Sequence, residues 1–535
     1  MLAEIKSIVF REKIIEFHSG LNIVIGDENA HTSIGKSNLL LIIDFVFGGD
    51  TYINHSLDVI KEMGEHEFYF SFKFDRIYRF KRSTDDDKTV FECNDNYEKI
   101  KQISINEFTS FLQKKYKINY VDSTFRVLVG LYLRVWGKYN YDMHKPLKTY
   151  KNDHKEKEGI YNLIKLFDKF EKINETIVEI KNDESSKKIL TGMYKNEYAS
   201  KITKTQYEKN ELNIKEKASK IEDIQNNILK YLGNPKELIN PKVLALLSEK
   251  NILIDMKSKY EKKLFRIEKN LETKSGLNKK HLEKLQEFFP NSNIEKIDKI
   301  ENFHKKIKTI LASEIKKSKL EIEDKILLLN EEINILDGRI EYYLGNEESS
   351  KKIIKQVYEL TLELNELRRT NSTYRETETK TKNIKNNKEK LNSSLEIIVN
   401  KIKIDINNEI RNINKKIYDN DTPALINIET SKYSLTKPND TGTGTSYMNL
   451  ILFDLAILKL TNLPLLAHDS ILFKNVGNDV MEKLIKFYNI HEKQIFISID
   501  EHKKYTEVSD ILKNQQVIKL DKEHTLFSKI WNNKV

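Results

Sequence analysis

The sequence predicts an α/β protein whose two chain ends build one head and whose middle forms a long antiparallel helical insertion. Three observations support this fold class: glycine is scarce in the middle, heptads run through the middle, and both flanks alternate strand and helix patterns. Glycine weakens a helix interior by about 1 kcal/mol. Of the 17 glycines, those between residues 160 and 420 are only Gly192, Gly233, Gly276, Gly338 and Gly345.

The composition excludes several classes of protein. The 535 residues include 91 Lys and Arg against 81 Asp and Glu, a net charge of +10 that permits a polyanionic partner without requiring one. A single cysteine, Cys93, excludes an intramolecular disulfide framework and a multi-cysteine zinc site. The first residues lack a signal-peptide pattern, and the apolar runs at 39–46 and 450–458 fall well short of the roughly 20 residues that cross a bilayer. We therefore expect a cytoplasmic protein with no membrane partner.

The N-terminal flank, residues 1–155, reads as the first half of the head. Strand patterns cover residues 4–10, 12–17 and 21–25, and a helix follows from Ser37. Residues 66–93 are rich in β-forming residues that alternate with polar ones, which predicts an antiparallel meander.

The middle segment, residues 156–418, reads as a coiled-coil stalk. Ile315, Ile322, Leu329, Leu336 and Tyr343 are spaced seven apart, as in the seam of a coiled coil. A proline-containing break near residue 290 predicts the apex, where the chain reverses. Glycines at 233 and 345 lie at matching depths in the two arms and predict an elbow. A helical bundle with several short returns is the alternative.

The C-terminal flank, residues 419–535, reads as the second half of the head. Its helix and strand patterns alternate, and this order predicts a parallel sheet. Helices are expected at 446–459 and 478–487, and strands at 463–467, 494–499 and 517–520.

The sharpest local motif lies between the strand at 21–25 and the helix that starts near Ser37. Backbone N–H groups at a helix start can hold phosphates, a lysine there reaches the outer phosphates, and a serine hydroxyl can bind Mg²⁺. Ala30 stands where a phosphate loop usually has glycine, and the loop is about four residues longer than usual. Nucleotide contacts are assigned to Gly26, Asn29, Gly35, Lys36, Ser37 and Asn38.

With both flanks considered, the chain resembles the ABC-type ATPases of the SMC, RecN and RecF class. In that class a coiled coil splits the nucleotide head between the two chain ends, and ATP and Mg²⁺ are the cofactors. The segment GLNIVIG with the later GKSNLL resembles their phosphate-binding half, and residues 439–446 occupy the place of their signature motif. The usual LSGGQ letters are absent. The resemblance implies nucleotide contacts from Thr441, Gly442, Thr443, Gly444, Thr445 and Ser446.

The segment LPLLAHDS, residues 463–470, resembles the class's Walker B strand. The resemblance implies that Asp469 and Ser37 share one Mg²⁺ ion. Ser470 stands where the class has a catalytic glutamate, so the base for hydrolysis would have to be His468 or Glu501. His468 could equally be a satisfied histidine at a strand end. Asp500 lies where the class normally has a switch histidine, and an ordinary acidic loop is the alternative there.

The resemblance also implies partners. Two heads would sandwich ATP in a homodimer, and DNA would be held through its phosphates without sequence readout. DNA contacts are expected from residues on the meander, which could also be a solvated strand face: Arg76, Arg79, Lys81 and Arg82.

Within the class, the chain is most similar to SMC-like subunits of bacterial defence systems of the Lamassu or ABC-three-component type. We therefore expect a DNA sensor or clamp in anti-phage or anti-plasmid defence, acting with a separate effector or accessory subunits. A RecN-like repair ATPase and a nucleotide-binding coiled-coil scaffold with little hydrolysis are the alternatives.

Overall fold

The computed structural model describes residues 1–28, 34–118, 120, 123–148, 156–195, 200–226, 241–272, 294–344, 348–418, 422–437 and 442–529. The chain divides into two compact units. The first, which we call the head, comprises Met1–Glu179 and Asn387–Val535, so both chain ends belong to it. The second, which we call the stalk unit, comprises Ile180–Asn386.

Both flanks contain strands and helices, whereas the described elements of the middle segment are all helices. The strands are β1 (Leu2–Lys6), β2 (Ile14–Glu16), β3 (Leu21–Ile25), β4 (Glu67–Lys73), β5 (Ile77–Ser83), β6 (Thr89–Cys93), β7 (Lys99–Ser104), β8 (Leu133–Arg134), β9 (Leu425–Ile428), β10 (Tyr433–Thr436), β11 (Leu465–His468), β12 (Gln494–Ile499) and β13 (Gln516–Lys519). The helices are α1 (Lys36–Val46), α2 (Thr51–His55), α3 (Leu57–Met63), α4 (Ile105–Lys115), α5 (Phe125–Val129), α6 (Glu156–Leu166), α7 (Glu171–Lys195), α8 (Lys204–Asn226), α9 (Pro241–Glu272), α10 (Ile294–Leu344), α11 (Glu348–Ile417), α12 (Thr443–Leu460), α13 (Asn478–Asn489) and α14 (Ser509–Asn514).

A five-stranded parallel sheet joins the two chain ends. Its strand order is β13-β3-β12-β11-β8, and every neighbouring pair is parallel. Strands β3 and β8 come from the N-terminal flank and the other three from the C-terminal flank. Because β3, β11 and β12 are covered on both faces, their sequences are largely apolar without alternation. The predicted parallel sheet and the head built from both chain ends are confirmed.

A second, antiparallel sheet has the strand order β2-β1-β4-β5-β6-β7. The predicted meander forms its β4, β5 and β6, and aromatic side chains of β4 and β5 pack on Phe108 of α4. Strands β1 and β2 are shorter than the predicted 4–10 and 12–17. The reason is a turn in which Lys13 adopts a left-handed conformation (φ 58°) and the Ser7 amide donates to the Lys13 carbonyl.

The last part of α11 packs into the head. Ile402, Ile406, Ile410, Ile413 and Ile417 recur every three or four residues and are all buried. This spacing places them along one face of the helix, so that face fills the core while the charged residues stay outside.

The long helices of the stalk unit pair in opposite directions. On α9 and α10, Lys250 pairs with Asp337 and Glu268 with Lys319, so residue numbers rise along one helix as they fall along the other. Leu329 and Leu336 of the predicted seam are buried, and Ile322 is half-buried. The antiparallel insertion is thereby confirmed, whereas the predicted apex near 290 and the elbow glycines at 233 and 345 lie outside the described residues. Among the helices that the structure describes, none combines the length and the apolar character needed to cross a membrane.

Candidate nucleotide-binding site

Four strands of the parallel sheet end at the same edge and place residues from both flanks there. Strand β3 ends at Ile25, β12 at Ile499, β11 at His468 and β8 at Arg134. Neighbouring strands lie about 4.8 Å apart, so β3 and β11, separated only by β12, end about 10 Å from each other. In open parallel sheets this carboxyl edge is where ligands bind. The residues that follow these strands therefore form the candidate site.

The N-terminal half of the site is the start of α1. Gly35 precedes the helix with φ 106°, and a Cβ atom there would lie 2.4 Å from the Cβ of Leu526. Glycine is thus required both by the backbone conformation and by the space. Since glycine has no side chain to cap the first amides, these N–H groups are of the kind that binds anions. Ser37 is half-buried in the first turn, and the neighbouring Asn38 accepts a hydrogen bond from Ser56 at 2.8 Å.

Lys36 is held by a carboxylate from the other chain end. Its Nζ lies 2.6 Å from Oδ1 of Asp500, the residue that follows β12, and their side chains are 9% and 20% exposed. Gly26 makes room for this pair, because a Cβ on Gly26 would lie 2.2 Å from Oδ1 of Asp500 and 2.9 Å from Cδ of Lys36. The cation expected to bind phosphate is therefore neutralised by Asp500 in the protein alone.

The segments after β3 and β12 are joined by further contacts. The Gly26 amide donates to the Ile499 carbonyl at 2.7 Å, and the Glu501 amide donates to the Asp27 carbonyl at 3.1 Å. Glu501, assigned above as a possible base, has a left-handed backbone (φ 49°), and its carboxylate lies 2.7 Å from Lys504. This pairing engages the Glu501 carboxylate with a neighbour on its own loop.

The C-terminal half of the site is centred on Asp469, which is 1% exposed. Its Oδ1 accepts hydrogen bonds from the Ser470 amide and the Ser498 hydroxyl, each at 2.8 Å. Its Oδ2 accepts one from the Trp136 amide at 3.0 Å. A carboxylate has about four lone-pair sites, so these described contacts leave one on Oδ2 for a metal ion or a metal-bound water.

His468 is engaged at both ring nitrogens. Its Nδ1 lies 2.6 Å from the Tyr488 hydroxyl and its Nε2 lies 3.2 Å from Oδ2 of Asp454. The imidazole is fully buried, and burial lowers the pKa of His468. The geometry favours the alternative of a satisfied histidine at a strand end over a base for an attacking water.

The segment in the place of the signature motif leads into α12. Gly442 precedes this helix in an extended conformation, and the Ser446 hydroxyl donates to its carbonyl at 2.8 Å. Helix α12 packs against β11 and the short turn at 470–472. Thr445 is half-buried. Asn29 and Thr441 lie outside the described residues, as do the environments of Thr443 and Gly444.

Helix α1 is also fixed to the segment after β8. Asp44 is completely buried, 2.6 Å from Arg126 and 2.7 Å from Lys138. Burial alone would raise the pKa of Asp44, but the two cations outweigh it and hold that pKa below its usual range. This cluster joins α1 to the segment that carries Trp136.

Trp136 and Ser498 were not expected from the sequence, yet they orient Asp469 together with the Ser470 amide. Trp136 acts through its backbone, which no residue pattern reveals. Ser498 could have been identified from the sequence, because it is a polar residue inside the otherwise apolar run 495–499 of β12.

The predicted DNA contacts on the meander are wrong for Arg82. Its side chain is 1% exposed and donates to the backbone carbonyls of Gly49 and Asp87. Lys81 is also largely buried and pairs with Glu67. Arg82 faces the core of the head, where it meets backbone carbonyls and the ring of Phe45, whereas Lys81 lies on the opposite face of β5 and is covered by Glu67 and Tyr69.

Comparison with protein families finds one matching model, described as an uncharacterised protein conserved in bacteria (DUF2326), over residues 413–529. Comparison with curated proteins finds no significant match. Among solved structures, the chain is similar to the Smc head domain with a coiled coil and joint from Pyrococcus yayanosii, at 12% identity, 97% coverage of this chain, 94% of that chain and a TM-score of 0.42. It is also similar to the Smc head domain with an extended coiled coil bound to the C-terminal domain of ScpA from Pyrococcus furiosus, at 11% identity, 96% and 91% coverage and a TM-score of 0.34.

Proposed function

We propose that the head binds ATP with Mg²⁺ at the carboxyl edge of its parallel sheet. One observation carries the proposal: the sheet brings the start of α1, with Lys36 and Ser37, to the same edge as Asp469, although these residues come from opposite chain ends. Phosphate would bind the first amides of α1 and Lys36, which is the usual chemistry of a helix start that follows a buried strand.

The residues present fit a magnesium ion. Mg²⁺ prefers oxygen ligands and is commonly held by one or two protein oxygens together with phosphate oxygens. The Ser37 hydroxyl and the open lone pair of Asp469 Oδ2 are such a set. When bound, the ion would neutralise phosphate charge. Trp136 and Ser498 would keep the carboxylate pointing at it.

Hydrolysis has weaker support than binding. Ser470 follows Asp469, both nitrogens of His468 are engaged, and Glu501 pairs with Lys504. A serine hydroxyl without a neighbouring base does not activate water efficiently at neutral pH. These contacts favour a head that binds ATP and turns it over slowly, and they keep the scaffold with little hydrolysis as the second candidate.

We extend the proposal to partners on the strength of the family resemblance. Two heads would dimerise on ATP, and the protein would clamp DNA as a sensor in bacterial anti-phage or anti-plasmid defence with a separate effector. Arg76 and Arg79 are the remaining meander candidates for phosphate contact, although Arg79 pairs with Asp95 and Arg76 lies over Tyr78. A RecN-like role in repair is the alternative, and a gene for an effector beside this one would favour defence.

ATP binding by calorimetry tests the proposal. We expect wild-type protein to bind ATP more tightly with Mg²⁺, and Lys36→Ala to lose most of the affinity. Lys73→Ala, which removes an exposed lysine at the end of β4, is the matched control and should bind as wild type does. Equal affinity of Lys36→Ala and wild type would refute the site.

Turnover and DNA binding separate the candidates. If the rate of ATP hydrolysis stays at background both with and without DNA, only the scaffold with little hydrolysis remains among the candidate functions. For DNA, the logarithm of affinity should fall linearly with the logarithm of salt concentration, and a flat dependence would exclude phosphate contacts.

A further inference from the structure

Four buried polar side chains form one connected network beside Asp469. Arg134 donates to Asp454 through Nε at 2.8 Å and Nη2 at 2.7 Å. Asp454 also contacts Nε2 of His468, whose Nδ1 contacts the Tyr488 hydroxyl. All four residues are 0% exposed. We call them the Arg134 network.

The chemistry of the members assigns the protons. An ionised Asp454 only accepts hydrogen bonds, so Nε2 of His468 carries the proton that points to it. The Tyr488 hydroxyl, whose oxygen lies 2.6 Å from Nδ1, then donates its proton to that nitrogen. The positive charge of Arg134 then balances the negative charge of Asp454. The network is thus neutral, and the remaining N–H groups of Arg134 donate to the carbonyls of Asn140 and Pro146, so the buried polar groups are paired, as a buried polar cluster needs to persist.

The network holds the backbone on both sides of Asp469. Arg134 and His468 are register partners in the parallel pairing of β8 and β11. One residue further along, the Asp469 amide donates to the Arg134 carbonyl at 3.0 Å. Two residues beyond Arg134, the Trp136 amide donates to the Asp469 carboxylate. Any displacement of Arg134 would therefore move both the backbone and the side chain of Asp469.

Asp454 connects this arrangement to a third element. It lies within α12, the helix that follows the signature-like segment, and it is a buried charge inside the apolar run at 450–458 of that helix. A buried carboxylate without a paired cation is strongly destabilising. The pairing of Asp454 with Arg134 therefore fixes the position of α12 relative to β8. The ends of β8 and β11 and the helix α12 share one anchor.

We propose that Arg134, Asp454 and His468 are positioning residues that fix the Asp469 carboxylate for Mg²⁺. The inference rests on the proposed function, since it concerns the same metal. His468 then acts by holding its neighbour in place and does not transfer a proton.

The test replaces the buried ion pair by apolar residues of similar size, Arg134→Met together with Asp454→Leu, which also removes the donor of the Asn140 and Pro146 carbonyls and should therefore lower stability. ATP affinity is measured by calorimetry with Mg²⁺ and with EDTA. We expect the Mg²⁺-free affinity to stay as in wild type and the gain in affinity from Mg²⁺ to fall about tenfold, as when outer-shell support of a metal ligand is lost. The matched control is Lys459→Met with Glu409→Leu, which removes an ion pair outside the Arg134 network, near the C-terminal end of α12. This control variant should show the same increase in ATP affinity on addition of Mg²⁺ as wild type does.

A folded Arg134→Met/Asp454→Leu protein with an unchanged gain from Mg²⁺ would overturn the inference. If that protein does not fold, Tyr488→Phe decides, because it removes a single hydroxyl from the network. A reduced gain from Mg²⁺ then supports the inference, and an unchanged gain overturns it. Wild-type protein that binds no ATP would refute the proposed function itself, and that result needs no variant.

Discussion

Removing the carboxylate of Asp500 should make the head bind ATP more tightly. In the protein alone, Lys36 Nζ lies 2.6 Å from Asp500 Oδ1, with side chains 9% and 20% exposed. Such a pair is better shielded than a surface ion pair, which contributes up to about 1 kcal/mol, and less buried than the pairs whose disruption costs about 3–5 kcal/mol, so we take about 2 kcal/mol for it. Phosphate has to displace Asp500 from Lys36, so the free energy of ATP binding to wild type is less favourable by the free energy of this ion pair. Asp500→Asn removes the loss and should raise affinity about 30-fold.

Calorimetry with ATP and Mg²⁺ measures this change directly. Asp510→Asn, which neutralises an exposed carboxylate on α14, controls for net charge and should leave the affinity within about twofold at moderate salt. Thermal unfolding gives a second readout, because Asp500→Asn should lower the stability of the free protein while ATP restores it. A folded Asp500→Asn protein that binds ATP as wild type does, or more weakly, would refute the competition between Asp500 and phosphate.

Three further predictions follow from the same edge of the sheet. Gly26→Ala places a Cβ 2.2 Å from Asp500 Oδ1 and 2.9 Å from Lys36 Cδ, so it should displace both side chains, weaken ATP binding because Lys36 is moved, and lower the midpoint of thermal unfolding as Asp500→Asn does; unaltered affinity would count against the crowding argument. Asp44→Asn leaves the buried Lys138 and the half-buried Arg126 without their carboxylate and should cost about 3–5 kcal/mol in urea unfolding at pH 7. Because the folded pKa of Asp44 is depressed, its stabilisation is complete above about pH 4 and is lost as the pH falls below that value, so the variant should show a shallower acid dependence than wild type. With Trp531→Phe, Trp136 is the only remaining tryptophan, and its emission should change when ATP and Mg²⁺ are added together, but not in an Asp469→Ala background.

Local patterns predicted the elements of the head well. The strand at 494–499 and the start of the helix at 478 have the expected bounds, because apolar runs and helical periodicity are set by neighbouring residues. The strands before residue 17 were expected to be longer. The turn that shortens them depends on a left-handed Lys13, and lysine is not a residue that signals such a turn.

The contacts of the candidate site could not be predicted in the same way. Arg134 and Asp454 are 320 residues apart in sequence and meet only because β8 lies at the edge of the sheet beside β11. The pairing of Lys36 with Asp500 likewise depends on β3 and β12 being neighbours. Strand order is set by the packing of the whole head, so a motif search finds the strand ends without finding which side chains meet there.

The central claim is that Ser37 and Asp469, from opposite ends of the chain, hold one Mg²⁺ ion. A double-mutant cycle on the Mg²⁺-dependent part of ATP binding tests it directly, with Ser37→Ala, Asp469→Asn and the double variant measured with Mg²⁺ and with EDTA. Residues that share a ligand are coupled, so we expect the double variant to lose little more than the worse single variant. Losses that simply add, in folded proteins, would mean that the two side chains act at separate places and would contradict the account.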